Sequence, residues 1–441
     1  MARTINLHNL ATLDAAGRAQ LLKRSEADIA PFLDKVRPII EAVKQDGDAA
    51  LARFAQEFDK SPVRADTIAA TPSDFDAALV TLDPNVLKAL EFATDSIRKF
   101  HQDQKPEEMW LHEIRPGAFA GDRFTPIPSV ACYVPRGKGA FPSVVMMTTI
   151  PAIVAGVPEV CIVTPPGPDG KIDDATLVAA RLAGVQRVYK CGGAQAVAAV
   201  AYGTETVRKC SKIVGPGSPW VVAAKTLLSD VIDPGIPAGP SESIILCDET
   251  ADGKIAALDL LVESEHGADS SAYLVTHSEK VAKDAMNAIP GYWEKMGEQR
   301  VNFSSAVLGG KNGGIVLAPS WDEAVAFVND FAPEHLEILS TEPFTHLGRI
   351  LNAGEILLGH HTPVTLGNFV LGPNAVLPTN GAAKTASPLS VFDFMKRSSV
   401  GYVTAAGYAP LAAKARVLAT YEGFDAHANA VSEIRDGLLK A

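Results

Sequence analysis

Apolar positions change their rhythm near residue 128. Before it, "EADIAPFLDKVRPIIEAVKQDGDAALARFAQEFD" keeps apolar residues three to four apart, so helices are expected over 15–60 and again over 75–105. Beyond it, short β-rich runs alternate with Ala-rich helical ones: "SVACYVP", "VVMMTTIPAIVAG", "EVCIVTPP", "ATLVAARLAG", "RVYKCGG", "AQAVAAVAYG" and "SKIVGPGS". That alternation predicts a doubly wound α/β unit with a mostly parallel sheet. A second α/β segment follows: "SIILCDE", a helix over 252–263, "SAYLVTHS", "GGIVLAPS", a helix over 321–329, "LEILST", a helix over 343–353 and "EILLGH". A loop-rich stretch covers 359–389, and helical patterns return at 409–420 and 425–438.

At 441 residues the chain exceeds one hydrophobic core, and about two or three domains are expected. Its net charge of −11 argues against a nucleic-acid partner or an anionic membrane surface, since either needs a basic face. The five cysteines are an odd number, widely spaced and without a C-x-x-C pair, which suits the reduced thiols of a cytosolic protein. The uncharged run "GAFPSVVMMTTIPAIVAGVP" is long enough to span a bilayer, but it carries Pro142, Pro151 and Pro158 and leads into a strand. A buried helix is expected there. The opening "ARTINLHNL" lacks the apolar core of a secretory signal, so a soluble, cytoplasmic protein is expected.

Candidate chemistry falls in a few places. "SKIVGPGSPWVVAAKTLLSDV" sets Gly215 and Gly217 between a strand and a helix, a turn that lets backbone N–H groups approach a phosphate. The third glycine of a dinucleotide fingerprint is missing, with Trp220 in its place, so a plain tight turn stays open. "KCGGAQAVAAVAYG" places Gly192, Gly193 and Gln195 at the same kind of junction. In "LLVESEHGADS", Glu263 and His266 share one helix face and suit a common cation; an acidic helix end in solvent is the alternative. In "FAPEHLEIL", Glu334 and His335 can share proton transfer, or lie as an exposed loop pair. Glu422 and His427 in "YEGFDAHANA" are five apart and share no helix face, and His360-His361 reads as incidental.

In order and spacing, "YVPRGKGAFPS", "GGAQAVAA", "GPGSPWVVAAK", "AGPSES", "LLVESEHG", "APEHLEI", "NAGEILLG", "GPNAVLPT", "LSVFDFMK" and "EGFDAHANAV" resemble the histidinol dehydrogenase family across essentially the whole chain. The resemblance implies a homodimer that exchanges terminal pieces, each protomer holding two incomplete Rossmann-like doubly wound domains. Its implied division is an N-terminal helical arm (1–30), a first Rossmann-like domain (31–130 with 243–388), a second on the cofactor side (131–242), and a C-terminal helical tail (389–441). It also implies NAD as hydride acceptor, used twice to take a primary alcohol through the aldehyde to a carboxylate, and one zinc ion per site. Carried over by motif, the acid/base pair falls on Glu334 and His335, and the dinucleotide contacts on Tyr133, Gln195 and Ser218. The zinc ligands fall on Glu263, His266, Asn368 and His427, the last expected from the partner protomer. Substrate contacts fall on these four, on Glu334 and His335, and on Ser241, Ala375 and Glu422.

The chain departs from the family pattern at five of its positions. The family's Gln-His-Asp-His ligand set reads Glu263, His266, Asn368 and His427, so one carboxylate changes place while the ligand charge is kept. Ala375 stands where the family has a histidine that helps hold histidinol, a loss of about 1–3 kcal/mol for one hydrogen bond. Ser218 replaces an asparagine and Arg136 a glycine. Retained proton-transfer groups beside an altered substrate shell point to a dehydrogenase acting on a different polar alcohol. Histidinol dehydrogenase itself, and a non-catalytic metal-binding dimer, are the alternatives.

Overall fold

The computed structural model describes residues 3–24, 29–136 and 139–440. Residues 25–28 of the expected arm and Gly137-Lys138 of "YVPRGKGAFPS" lie outside them. In chain order the strands are β1 (Leu7–Asn9), β2 (Met109–Arg115), β3 (Ala118–Pro126), β4 (Ser129–Tyr133), β5 (Glu159–Thr164), β6 (Val188–Lys190) and β7 (Lys212–Val214). Then come β8 (Glu242–Cys247), β9 (Ser271–Thr276), β10 (Gly313–Leu317), β11 (His335–Leu339), β12 (Glu355–Leu358) and β13 (Met395–Val403).

The chain forms two compact units, Met1–Lys105 with Ile127–Phe394, and Pro106–Pro126 with Met395–Ala441. The first holds two parallel sheets, ordered β6-β5-β4-β7 and β1-β10-β9-β8-β11-β12. Their inner strands, such as β4, β8 and β9, are buried on both faces, which is why they read as continuous apolar runs without alternation. The helix Pro142–Ala155 is buried nearly all round, and among the described residues no helix is long and apolar enough to cross a membrane.

Helices Ala30–Phe58, Pro72–Thr81 and Pro84–Gln104 match the expected helical regions. Ala30–Phe58 is two helices joined at Gly47 (φ 52°, ψ −128°), where a Cβ would lie 2.2 Å from Glu205 Oε2. The implied grouping of 31–130 with 243–388 differs from the packing. Val36, Ile40, Val43 and Leu51 share a core with Ala131, Val163 and Val197 of the four-stranded half. The small side chains of the helix Gly193–Tyr202, buried all round, let the Ala30–Phe58 helix press close. The N-terminal arm also departs from a purely helical reading, because β1 extends the six-stranded sheet beside β10.

The second unit is an antiparallel sheet, β13-β3-β2, followed by helices Ala405–Tyr421, Asp425–Asn429 and Glu433–Lys440. The tail over 389–441 is therefore not helical throughout: β13 pairs along the whole of β3, from Met395↔Pro126 to Val403↔Ala118.

Candidate active site

In the four-stranded sheet the chain winds away from β4 and β7 in opposite directions, which opens a crevice at their carboxyl ends. Tyr133 ends β4, and its buried hydroxyl accepts the Gly193 N–H at 3.0 Å. Burial pushes that phenol up to about 12. Gly215, just past β7, has φ +110°, and a Cβ there would fall 2.2 Å from the Tyr133 carbonyl oxygen. No other residue fits so close an approach. Lys225, buried on the following helix, donates to the Gly215 carbonyl at 2.9 Å. Burial lowers its pKa to about 8, against the opposing charge of Asp233. Gln195 is buried in the first turn after Gly193, and Ser218 is the exposed residue that opens the helix Pro219–Leu227, its side chain making no cap bond.

The second group of candidates collects at the opposite kind of edge, the amino ends of strands in the six-stranded sheet. The chain leaves the helix Trp321–Phe331 through Ala332, held left-handed at φ 52°. This costs about 1 kcal/mol for a residue with a Cβ. Pro333 follows, then Glu334 and His335 at the start of β11. Both are buried, which removes the alternative of an exposed loop pair. Glu334 Oε2 accepts the Glu242 N–H at 2.8 Å, while Oε1 lies 3.9 Å from Nε2 of His335. Nδ1 of His335 lies 2.9 Å from Glu355 Oε2. Burial raises Glu334 to about 8, against the pull of His335. Burial pulls His335 down, but Glu263, the bond to Glu355 and the charge of Glu334 outweigh it and raise His335 to about 9. These carboxylates thus hold His335 above the ordinary imidazole range.

Glu263, in the last turn of the helix Gly253–Ser264, is 1% exposed, so the solvated helix end is also excluded. Its Oε1 accepts from Asn368 Nδ2 at 2.8 Å. Its Oε2 sits 2.9 Å from His266 Nδ1, without hydrogen-bond alignment. That nitrogen is also 2.9 Å from Ser241 Oγ. Burial raises the Glu263 carboxyl, yet His266 and His335 override it and hold it near 2. Glu263 in turn raises His266 against its own burial. A buried, ionised carboxylate oxygen without a hydrogen bond, beside an imidazole and an amide, fits a divalent cation. Among the described residues no three His, Cys, Asp or Glu side chains converge as a metal site. The third donor here is the Asn368 amide, which must turn its oxygen inward to serve.

Ala375 lies between Asn374, whose Nδ2 donates to the Met147 carbonyl at 2.6 Å, and Val376, whose N–H returns to Asn374 Oδ1. Thr379 Oγ1 accepts the Gly239 N–H, tying this loop to the segment before Ser241. Glu422 and His427 belong to the second unit and are exposed, with the His427 ring 5.1 Å from Phe424. The cluster of the first unit thus assembles Ser241, Glu263, His266 and Asn368.

Sequence reasoning missed Glu355, Glu337 and Asp259. Glu337 is fully buried two residues beyond His335, and burial and then Asp259 push it to about 10. Asp259 is raised to about 6 by its own burial. The alternation in "EHLEIL" puts His335 and Glu337 on one face and held that signal.

Comparison with known proteins matches residues 22–435 to the family model described as histidinol dehydrogenase. "Histidinol dehydrogenase homolog 2" of Mesorhizobium japonicum is 65% identical over 435 residues, covering 99% of each chain. "Histidinol dehydrogenase" of a Synechocystis strain is 48% identical over 420 residues, covering 95% of this chain and 96% of that one. The crystal structure of histidinol dehydrogenase from Elizabethkingia anophelis superposes with a TM-score of 0.94 at 30% identity, over 100% of both chains. With its parallel α/β architecture and its buried acid–imidazole cluster, the chain belongs to the histidinol dehydrogenase family.

Proposed function

We propose that this protein is an NAD- and zinc-dependent dehydrogenase that oxidises a polar alcohol other than histidinol. The observation that carries the reading is the buried pair Glu334-His335, in electrostatic reach of the Glu263–His266–Asn368 cluster. A divalent cation held by Glu263, His266 and Asn368, with His427 expected from a partner protomer, supplies polarisation of the alcohol oxygen. NAD, in the crevice lined by Tyr133, Gln195 and Ser218, supplies the hydride acceptor.

The chain's own groups do the rest. Nε2 of His335 takes the hydroxyl proton as the carbonyl forms, which requires His335 to be neutral. The carboxylate that most raises His335 is Glu263, so neutralising Glu263 lowers His335 toward its working range. Glu334, which burial holds above the ordinary carboxylate range against the pull of His335, activates the water that adds to the aldehyde once it is ionised.

The methyl of Ala375 cannot hydrogen-bond, and this supports a shifted substrate. Histidinol as substrate is the second reading, favoured by the 48% identity to a protein named histidinol dehydrogenase. The test is NADH formation by zinc-loaded protein with L-histidinol beside a panel of polar alcohols. The expected result is faster turnover of another alcohol; preferred turnover of histidinol would establish the second reading.

A further inference from the structure

Glu355 opens β12 as the register partner of His335 on β11. Neighbours in a parallel sheet carry their side chains to one face. Here the carboxylate meets the imidazole at 2.9 Å, with the two side chains 5% and 3% exposed. A carboxylate oxygen accepts, so in the neutral form of His335 that takes a proton, the Nδ1–Glu355 contact places the ring proton on Nδ1 and leaves Nε2, on the Glu334 side, as the acceptor. The pair is held from three sides. The Glu355 N–H donates to the Glu334 carbonyl at 2.9 Å, which locks the start of β12 to the catalytic dipeptide. Oε1 of Glu355 is buried without a hydrogen bond, leaving His335 as the side-chain donor facing this carboxylate. Gly367, next to Asn368 in the helix Val364–Phe369, leaves the carboxylate its space: a Cβ there would lie 2.6 Å from Oε1.

We infer that Glu355 is a positioning residue that fixes the tautomer and orientation of His335, and that Gly367 keeps the room this requires. The inference rests on the reading of His335 as the base. In the oxidation the alcohol O–H bond breaks toward Nε2, the C–H bond breaks as hydride to NAD, and the carbonyl forms. Nδ1 keeps its proton and Glu355 its charge.

The experiment compares full-length wild type with Glu355→Gln, which preserves shape and removes charge. Expected are a kcat lower by about 10- to 100-fold and unchanged bound zinc, with a KM within about twofold of wild type. In parallel, the downfield proton resonance of His335 Nδ1–H, assigned by its disappearance in His335→Asn, moves upfield. Wild-type kcat or an unmoved resonance in Glu355→Gln overturns the inference. Should that variant fold poorly, Gly367→Ala crowds the carboxylate without removing it, and an unmoved resonance there overturns the inference equally. The resonance is read without substrate, so failure to find any alcohol substrate would defeat the proposed function while the Glu355–His335 pair stays testable.

Discussion

At the scale of single residues, the site is defined by carboxylates that water does not reach. His335→Asn removes the proposed proton acceptor, and turnover is expected to fall to background while zinc stoichiometry by elemental analysis stays unchanged. Ala375→His places a hydrogen-bonding group in the proposed substrate loop. Its kcat/KM for L-histidinol is expected to rise by about 10- to 100-fold, the worth of one such contact; no gain would remove Ala375 from the specificity argument. Glu337 makes a pH-dependent contribution to stability. Its carboxyl keeps its proton in the fold up to about pH 10, whereas the unfolded chain releases it near the ordinary 4.5. Stability from this group is therefore complete below about pH 4.5 and is lost as pH rises toward 10. Glu337→Gln lacks that loss. Its urea midpoint should match wild type near pH 4.5 and exceed it increasingly above, by at most about 1.4 kcal/mol per pH unit. Glu263 with His266 and Glu334 with His335 were legible because each pair is close in sequence. Glu355 and Asn368 were not legible as contacts of His335 and Glu263: they arrive through strand register and a helix, 20 and 105 residues away.

At the scale of elements, the parallel sheets were readable because burial on both faces writes unbroken apolar runs. The helix expected over 343–353 shrinks to Phe344–Leu347. After Gly348 the Asn329 side chain accepts the N–H groups of Leu351 and Asn352 and holds that segment out of a helix. Strands β2 and β13 went unread because their side chains are largely exposed on both faces, and β3 because its buried, half-buried and exposed positions do not alternate. The glycine loop after β7 makes its own prediction. Gly215→Ala would force a Cβ against the Tyr133 carbonyl at a backbone angle unsuited to alanine. It should cost about 1–3 kcal/mol in thermal or urea unfolding, and weaken NAD binding, measured by titration, more than it weakens zinc binding.

At the scale of the molecule, the second unit leaves several large apolar side chains exposed, among them Ile114, Val417, Leu418, Tyr421, Leu438 and Leu439. Exposed apolar side chains in such number suit an association surface, and the proposed sharing of His427 between protomers can be tested directly. Mixing two inactive variants, His335→Asn and His427→Asn, tests the sharing. If each site takes His427 from its neighbour, exchanged subunits regain activity up to about a quarter of wild type, since one site per mixed dimer is whole. If the ligand is intrachain, mixing restores nothing. The pairing of β3 with β13 also sets a clock on biosynthesis. When β3 leaves the ribosome, its partner strand lies some 270 residues ahead in the message, a wait of roughly 15–50 s at common translation speeds. Through that interval the β2–β3 hairpin presents an open edge, and it waits for its partner longer than any strand of the four-stranded sheet does.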